Sequence, residues 1–224
     1  MRDTSSIDSA VAAGLARFGA IDVLVNNAGY GEVNSIEDTS LADFRAQIET
    51  NLFGVIIVTK ATIPLMREQG EGHIIQFSSI GGRVGALGRA PYSAAKWGVE
   101  GFSEVLAKEV GPLGIKVTII EPGGFRTDFA SSSTTIRSGR LEYDSTVGAV
   151  ARFQRDYNGA QPGDPSKAAA VIIQIASLDE PPLRLLLGSD AVRLAEENDI
   201  ARIEADRKWR DLSVSTDFEL RGGS

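Results

Sequence analysis

Hydrophobic and polar positions alternate along this chain in short and long segments. Four runs are short and apolar: Ile21 to Val25 (IDVLV), His73 to Phe77 (HIIQF), Lys116 to Ile120 (KVTII) and Leu183 to Leu187 (LRLLL). Near-continuous apolar runs of this length suit parallel strands covered on both faces. Longer segments with helical periodicity surround them: Ser9 to Phe18, Leu41 to Gln69, Tyr92 to Val110, Pro165 to Ser177, and a last one from Ala191 to about Trp209. The third of these stops at the breaker Gly111-Pro-Leu-Gly114, and the last carries charges four apart, such as Glu204 and Lys208, that predict a solvated face. The alternation predicts an α/β fold with a parallel sheet.

The stretch from Gly123 to Pro165 is long and partly polar, yet it holds Phe125, Phe129, Tyr143, Phe153 and Tyr157. Long connections in small domains tend to carry function, and the aromatics predict a lid. The same aromatics predict a mainly apolar or aromatic ligand. With no internal repeat and no linker, residues 1–224 read as a single domain.

Composition narrows the possibilities. The chain has 224 residues, 42% of them hydrophobic and 24% charged, which predicts a folded globular protein. Thirty acidic against 23 basic side chains give a net charge of -7, which argues against nucleic acid as a partner because phosphate neutralisation needs clustered Lys and Arg. Having no cysteine excludes disulfides, thiolate nucleophiles and cysteine metal sites. The single histidine, His73, reads as a strand-edge residue, and no metal site is expected. No apolar run approaches the ~20 residues of a membrane span, and the start MRDTSSIDSA lacks the apolar core of a signal peptide, so a cytoplasmic protein without a membrane partner is expected.

The sharpest chemical signal is Tyr92-Ser-Ala-Ala-Lys96 at the start of a helical segment. Positions four apart share a helical face, and an ammonium beside a phenol favours the phenolate, as a general acid or base requires. Thirteen residues earlier, directly after an apolar run, stands Ser79. Asn26-Asn27-Ala28-Gly29 follows the first run, and Pro122-Gly123-Gly124-Phe125-Arg126-Thr127 the third. Three strands thus deliver polar or glycine-containing turns to one sheet edge, where ligands of parallel sheets sit.

With Asn51-Leu-Phe-Gly54 and Ser78-Ser79, these motifs stand in family order and near-family spacing, and the chain resembles the short-chain dehydrogenase/reductase family. The resemblance implies a Rossmann-like doubly wound parallel sheet. It implies an NAD(P)-dependent oxidoreductase that interconverts a secondary alcohol and a ketone, with NAD or NADP as cofactor and a small carbonyl or alcohol compound as substrate. By the same resemblance Tyr92 exchanges a proton with the substrate oxygen, Ser79 hydrogen-bonds that oxygen, Lys96 lowers the tyrosine pKa and holds the nicotinamide ribose, and Asn51 holds a relay water. Asn27, Ala28 and Gly29 would pack on the adenosine side, with Pro122, Gly123, Phe125 and Thr127 near the cofactor's other end. A homodimer or homotetramer is implied, packed through the segments holding Leu52, Val55, Ile56 and Thr59 and Val99, Phe102, Val105 and Leu106.

The resemblance starts partway through the family pattern. No strand, glycine-rich turn and helix precede Asn26, which leads to the expectation of a partial domain truncated at its N-terminus. At roughly thirty residues per strand-helix-strand unit, ~60 residues with the first three strands would be absent. Gly29-Tyr-Gly31-Glu-Val-Asn34 has asparagine where the third glycine of a dinucleotide fingerprint belongs, and Gly82, Gly85 and Gly88 read as the approach to the tyrosine helix. The run Ile21 to Val25 should then form an exposed apolar edge. The competing expectation is a catalytically inactive fragment that serves only as an oligomerisation or interaction module.

Overall fold

The computed structural model describes residues 4–137 and 139–218. In chain order the elements are α1 (Thr4–Phe18), β1 (Val23–Asn26), β2 (Gly31–Val33), α2 (Leu41–Ile48), a π-helical turn (Glu49–Phe53), α3 (Gly54–Gln69), β3 (Gly72–Phe77), α4 (Ala90–Val110), β4 (Ile115–Pro122), β5 (Thr134–Ile136), α5 (Ala149–Tyr157), α6 (Pro165–Ala176), β6 (Arg184–Leu187) and α7 (Ser189–Val214). The four expected strands form one parallel sheet in the order β1-β3-β4-β6. The helical segment Leu41 to Gln69 is divided by the π turn, which the period of apolar positions had not shown.

Alternation along the strands builds a core on each face. Ile74 and Val117 turn toward Met66 of α3 and Leu106 and Val110 of α4. Ile75 and Ile120 turn the other way, toward Ile175 of α6 and Leu187. Each of these fully covered aliphatic side chains contributes about 1.5–3 kcal/mol. Helices on both faces of a parallel sheet make the architecture Rossmann-like and doubly wound, as expected. Val55, Thr59, Val99 and Leu106, expected at an oligomer interface, are buried within this chain instead, whereas Val105 is exposed. They face the sheet because the covered stripe of each helix is the one that closes the core.

Beyond β1 no strand pairs among the described residues, and Val23 and Val25 are 38% and 43% exposed, the apolar edge anticipated. Two expectations need correction. His73 is not at an edge: it lies in β3 between Val23 and Lys116, buried, with Nε2 2.9 Å from Thr118 Oγ1. That hydroxyl donates to Pro182 O at 2.9 Å, so the imidazole is the donor in the first bond. The run Leu41–Gln69 is long and apolar enough to cross a membrane by length and composition, with mean hydropathy 1.3. Here it packs on α1, α4, β1 and β3, with Asn51, Thr59 and Thr62 buried against them.

The segment Gly123 to Pro165, read as a lid, is structured and lines the cavity described below. Thr134–Ile136 pairs in parallel with Gly31–Val33 in a second, two-stranded sheet, and Val33, Val147 and Ala151 form a small core beneath it. Asp164 caps α6, accepting from Ser166 N at 2.8 Å, with Pro165 at its first turn.

Candidate active site

The carboxyl ends of β1, β3 and β4 open onto one cavity of about 590 Å³. This is the crevice where ligands of open α/β sheets bind. Ser79 follows β3, and its Oγ accepts from Gly81 N at 3.0 Å, capping the short turn Ile80–Gly82. Tyr92 enters on the first turn of α4, after Pro91, and is buried. A Cβ at Gly81 would lie 3.4 Å from Ser79 Oγ and 3.5 Å from the Tyr92 ring, so hydroxyl and phenol flank one bare glycine. Phe129, from the aromatic segment, packs on the phenol with centroids 5.4 Å apart.

Burial pushes the Tyr92 phenol up, while a hydrogen bond with Ser79 and the positive charge of Arg89 pull it back. Arg89, one turn earlier, is thus a second cation near the phenol besides Lys96. Lys96 Nζ lies 5.7 Å from the centroid of the Tyr92 ring and donates to Phe77 O at 2.6 Å. Burial brings this ammonium down to about 8, against the opposing pull of Glu100.

Asn51 sits in the π turn, fully buried, and accepts from Tyr30 N at 3.1 Å while donating to Tyr30 O at 2.8 Å. It clamps the turn after β1. A Cβ at Gly29 would meet Asn51 Oδ1 at 3.0 Å and reach 3.7 Å from Lys96 Nζ. That leaves a bare glycine beside an ammonium with unused N–H groups, a space whose chemistry fits the hydroxyls of a ribose. Asn27 and Gly29, expected on the adenosine side, line the same cavity as Lys96, Pro122, Gly123, Phe125 and Thr127, and together these residues fit the nicotinamide-ribose end of NAD(P).

The remaining predicted residues separate. Ala28 is exposed and does not line the cavity. Asn26, the other half of the Asn-Asn pair, is structural: its amide donates to Thr59 Oγ1 at 3.0 Å and Gln76 Oε1 at 2.9 Å, tying β1 to α3 and β3. Of the five aromatics, Phe125, Phe129 and Tyr157 line the cavity. Tyr143 donates to Glu37 at 2.9 Å, and Phe153 stacks outside on Tyr157. Gly123 has no room for a side chain because the Asp190 carboxylate, which accepts from Gly124 N at 2.7 Å, occupies that place.

Sequence reasoning missed Arg89, Gln154 and Gln161 on the cavity wall. Arg89 had a signal, standing three residues before Tyr92 and seven before Lys96 and so on the same helical face. The two glutamines had none, because Gln154 reaches the cavity from α5, a helix whose existence went unread, and Gln161 from the connection that follows it.

Comparison with known proteins agrees with this geometry. The sequence model described as short chain dehydrogenase matches residues 1–137. The oxidoreductase BOA17 of Botryotinia fuckeliana (strain B05.10) is 47% identical over 214 residues, covering 96% of this chain and 78% of its own length. The crystal structure of a short-chain dehydrogenase from Streptomyces avermitilis superposes with a TM-score of 0.89 at 40% identity, over 97% of this chain and 79% of that one. The expected lack of an N-terminal glycine-rich segment gains no support from these alignments. More partial matches include a Burkholderia cenocepacia gluconate 5-dehydrogenase in complex with NADP and tartrate (TM-score 0.56, 30% identity, 58% of this chain and 51% of that one). A Mycobacterium avium carveol dehydrogenase in complex with NAD (TM-score 0.56, 34% identity, 58% and 47%) is another.

Proposed function

Because this chain belongs to the short-chain dehydrogenase family and its relatives bind NAD or NADP, we propose that it interconverts a secondary alcohol and a ketone, with Tyr92 as general acid and base. The observation that carries the reading is the placement of Ser79 and Tyr92 around Gly81, with buried Lys96 one turn further along α4.

NAD(P), when bound, supplies or accepts the hydride. In the reducing direction the Tyr92 hydroxyl gives its proton to the carbonyl oxygen as the carbonyl carbon becomes tetrahedral, and in oxidation the phenolate takes that proton back. Ser79 Oγ donates to the same oxygen and fixes its position. Arg89 stabilises the phenolate left behind, and the low-dielectric surroundings that raise the phenol's pKa strengthen that attraction. Lys96 holds ribose hydroxyls with the N–H groups not engaged by Phe77 O. Asn51, engaged at both ends of its amide by Tyr30, positions the Gly29 turn against Lys96.

A non-catalytic interaction module is not favoured, since it would need none of this arrangement. Tyr92→Phe keeps the ring and its packing on Phe129 but removes the transferable proton. Ketone reduction followed by nicotinamide absorbance should fall by about a hundredfold or more. The melting temperature should scarcely move. Retention of most activity by a folded variant would refute Tyr92 as the acid and base.

A further inference from the structure

Arg89 is the least satisfied cation in the cavity. It occupies the N-cap position of α4, where a positive charge opposes the helix dipole, and makes no capping bond. Nη2 donates to Gln154 Oε1 at 2.8 Å, and the guanidinium lies 5.9 Å from the centroid of the Phe129 ring. Nη1 is buried without a hydrogen-bond partner, and no carboxylate pairs with this arginine among the described residues. A half-buried guanidinium without a counter-charge is partly desolvated and gains when an anion pairs with it.

A second donor on the same wall is also unused. Gln161 is 1% exposed, its Oε1 accepts from Gly159 N at 2.8 Å, and its Nε2 has no partner. Ser78 Oγ, the third orphaned polar atom on the lining, lies against Glu100. Arg89 stands on the cavity wall among the apolar side chains Phe125, Phe129, Ile172 and Ile173, and no acidic side chain lines that cavity among the described residues.

Resting on the reductase reading above, we infer that the substrate is a keto or hydroxy acid, with an apolar body and a carboxylate that pairs with Arg89. The carboxylate supplies the counter-charge that the guanidinium lacks, and the dipole of α4 favours an anion at the same place. Gln154 Oε1 fixes the plane of the guanidinium for that contact. The Arg89 side chain thereby selects among substrates as well as steadying the phenolate.

Isothermal calorimetry on the purified chain tests this without turnover, with hexanoate and 3-phenylpropanoate set against their primary amides. The carboxylates should bind at least about tenfold more tightly than the amides. Arg89→Gln, which retains an amide donor, should erase the difference, and Arg89→Lys should keep part of it. Equal binding of acid and amide, a preference that survives in Arg89→Gln, or no carboxylate binding up to about 10 mM would each overturn the inference. Reduction of cyclohexanone with NADH or NADPH separates the two readings. Turnover without carboxylate preference removes the anion site and leaves the reductase, whereas carboxylate preference without turnover of any ketone does the reverse.

Discussion

Two regions of this molecule bury ionisable side chains, and they treat them in opposite ways. Beneath α4 and α7, Arg83 reaches Glu121 at 2.9 Å and Asp199 at 2.8 Å, while Arg184 reaches Glu100 at 3.1 Å and Glu104 at 2.9 Å. There each carboxylate meets an arginine, and the network joins α4, β4, β6 and α7. A few residues away, in the cavity, Tyr92 and Lys96 are buried and Arg89 is half-buried, with no ion pair among the described residues. Burial of a paired charge ties elements together. Burial of an unpaired one raises the energy of the resting site and leaves its groups ready for a ligand or a proton.

The contrast breaks most visibly in the paired region. Arg83→Met leaves Glu121, fully buried, with only the longer 3.6 Å contact to Arg184 and should cost about 3 kcal/mol, read from urea unfolding. If the loss is only a few tenths, the network is not what holds α7 to the sheet.

In the cavity the signs reverse. Lys96→Met should lower turnover by about a hundredfold and weaken NAD(P) binding, yet raise stability, because it removes a buried, desolvated cation. The folded state holds Lys96 at about 8 against 10.5 when unfolded, so below pH 8 both states carry the charge and only the folded one is penalised for it, while between 8 and 10.5 the folded chain sheds the proton. The stability advantage of the variant should accordingly be full below pH 8 and shrink as pH rises toward 10.5. An advantage that stays constant across this range would show that the charge is not its source.

The smallest effect belongs to His73, buried but neutral. Burial brings it from 6.5 down to about 4, so the unfolded state protonates first and stability is lost as pH falls through that window. His73→Gln should flatten the acid side of the urea midpoint plotted against pH. An unchanged acid slope would assign it to the carboxylates instead.

What could be read before the fold was seen follows the physics of each element. Ile74 with Ile75 and Val117 with Ile120 are apolar on both parities, which is why the parallel sheet was legible. The Tyr92 and Lys96 pair was legible because four-residue spacing carries over directly into a shared helical face. Strand ends were misjudged by up to two residues, as where Ile21 is apolar but its N–H donates to Gln69 Oε1 at 3.3 Å instead of to a strand partner. Gly31–Val33 and Thr134–Ile136 were missed because three-residue strands carry too little alternation to see, and their pairing spans about a hundred residues. Asn26 and Asn27 could not be told apart, because adjacent residues on a strand point to opposite sides and only the packed sheet decides which side is the interior.

The π turn at Glu49–Phe53 carries a consequence for how the long helical segment is phased. An α-helix advances 100° per residue, so one residue held in a wider turn rotates everything before it by that angle relative to everything after. The apolar stripe of Leu41–Ile48 and that of Gly54–Gln69 are therefore two stripes out of step, and the seam between them falls on Asn51. A phase slip of this kind is a mechanical offset, like two gears keyed to one shaft at different angles. It lets one continuous rod press its first half on α4 and its second on β1 and β3, while the joint itself turns an amide toward Tyr30.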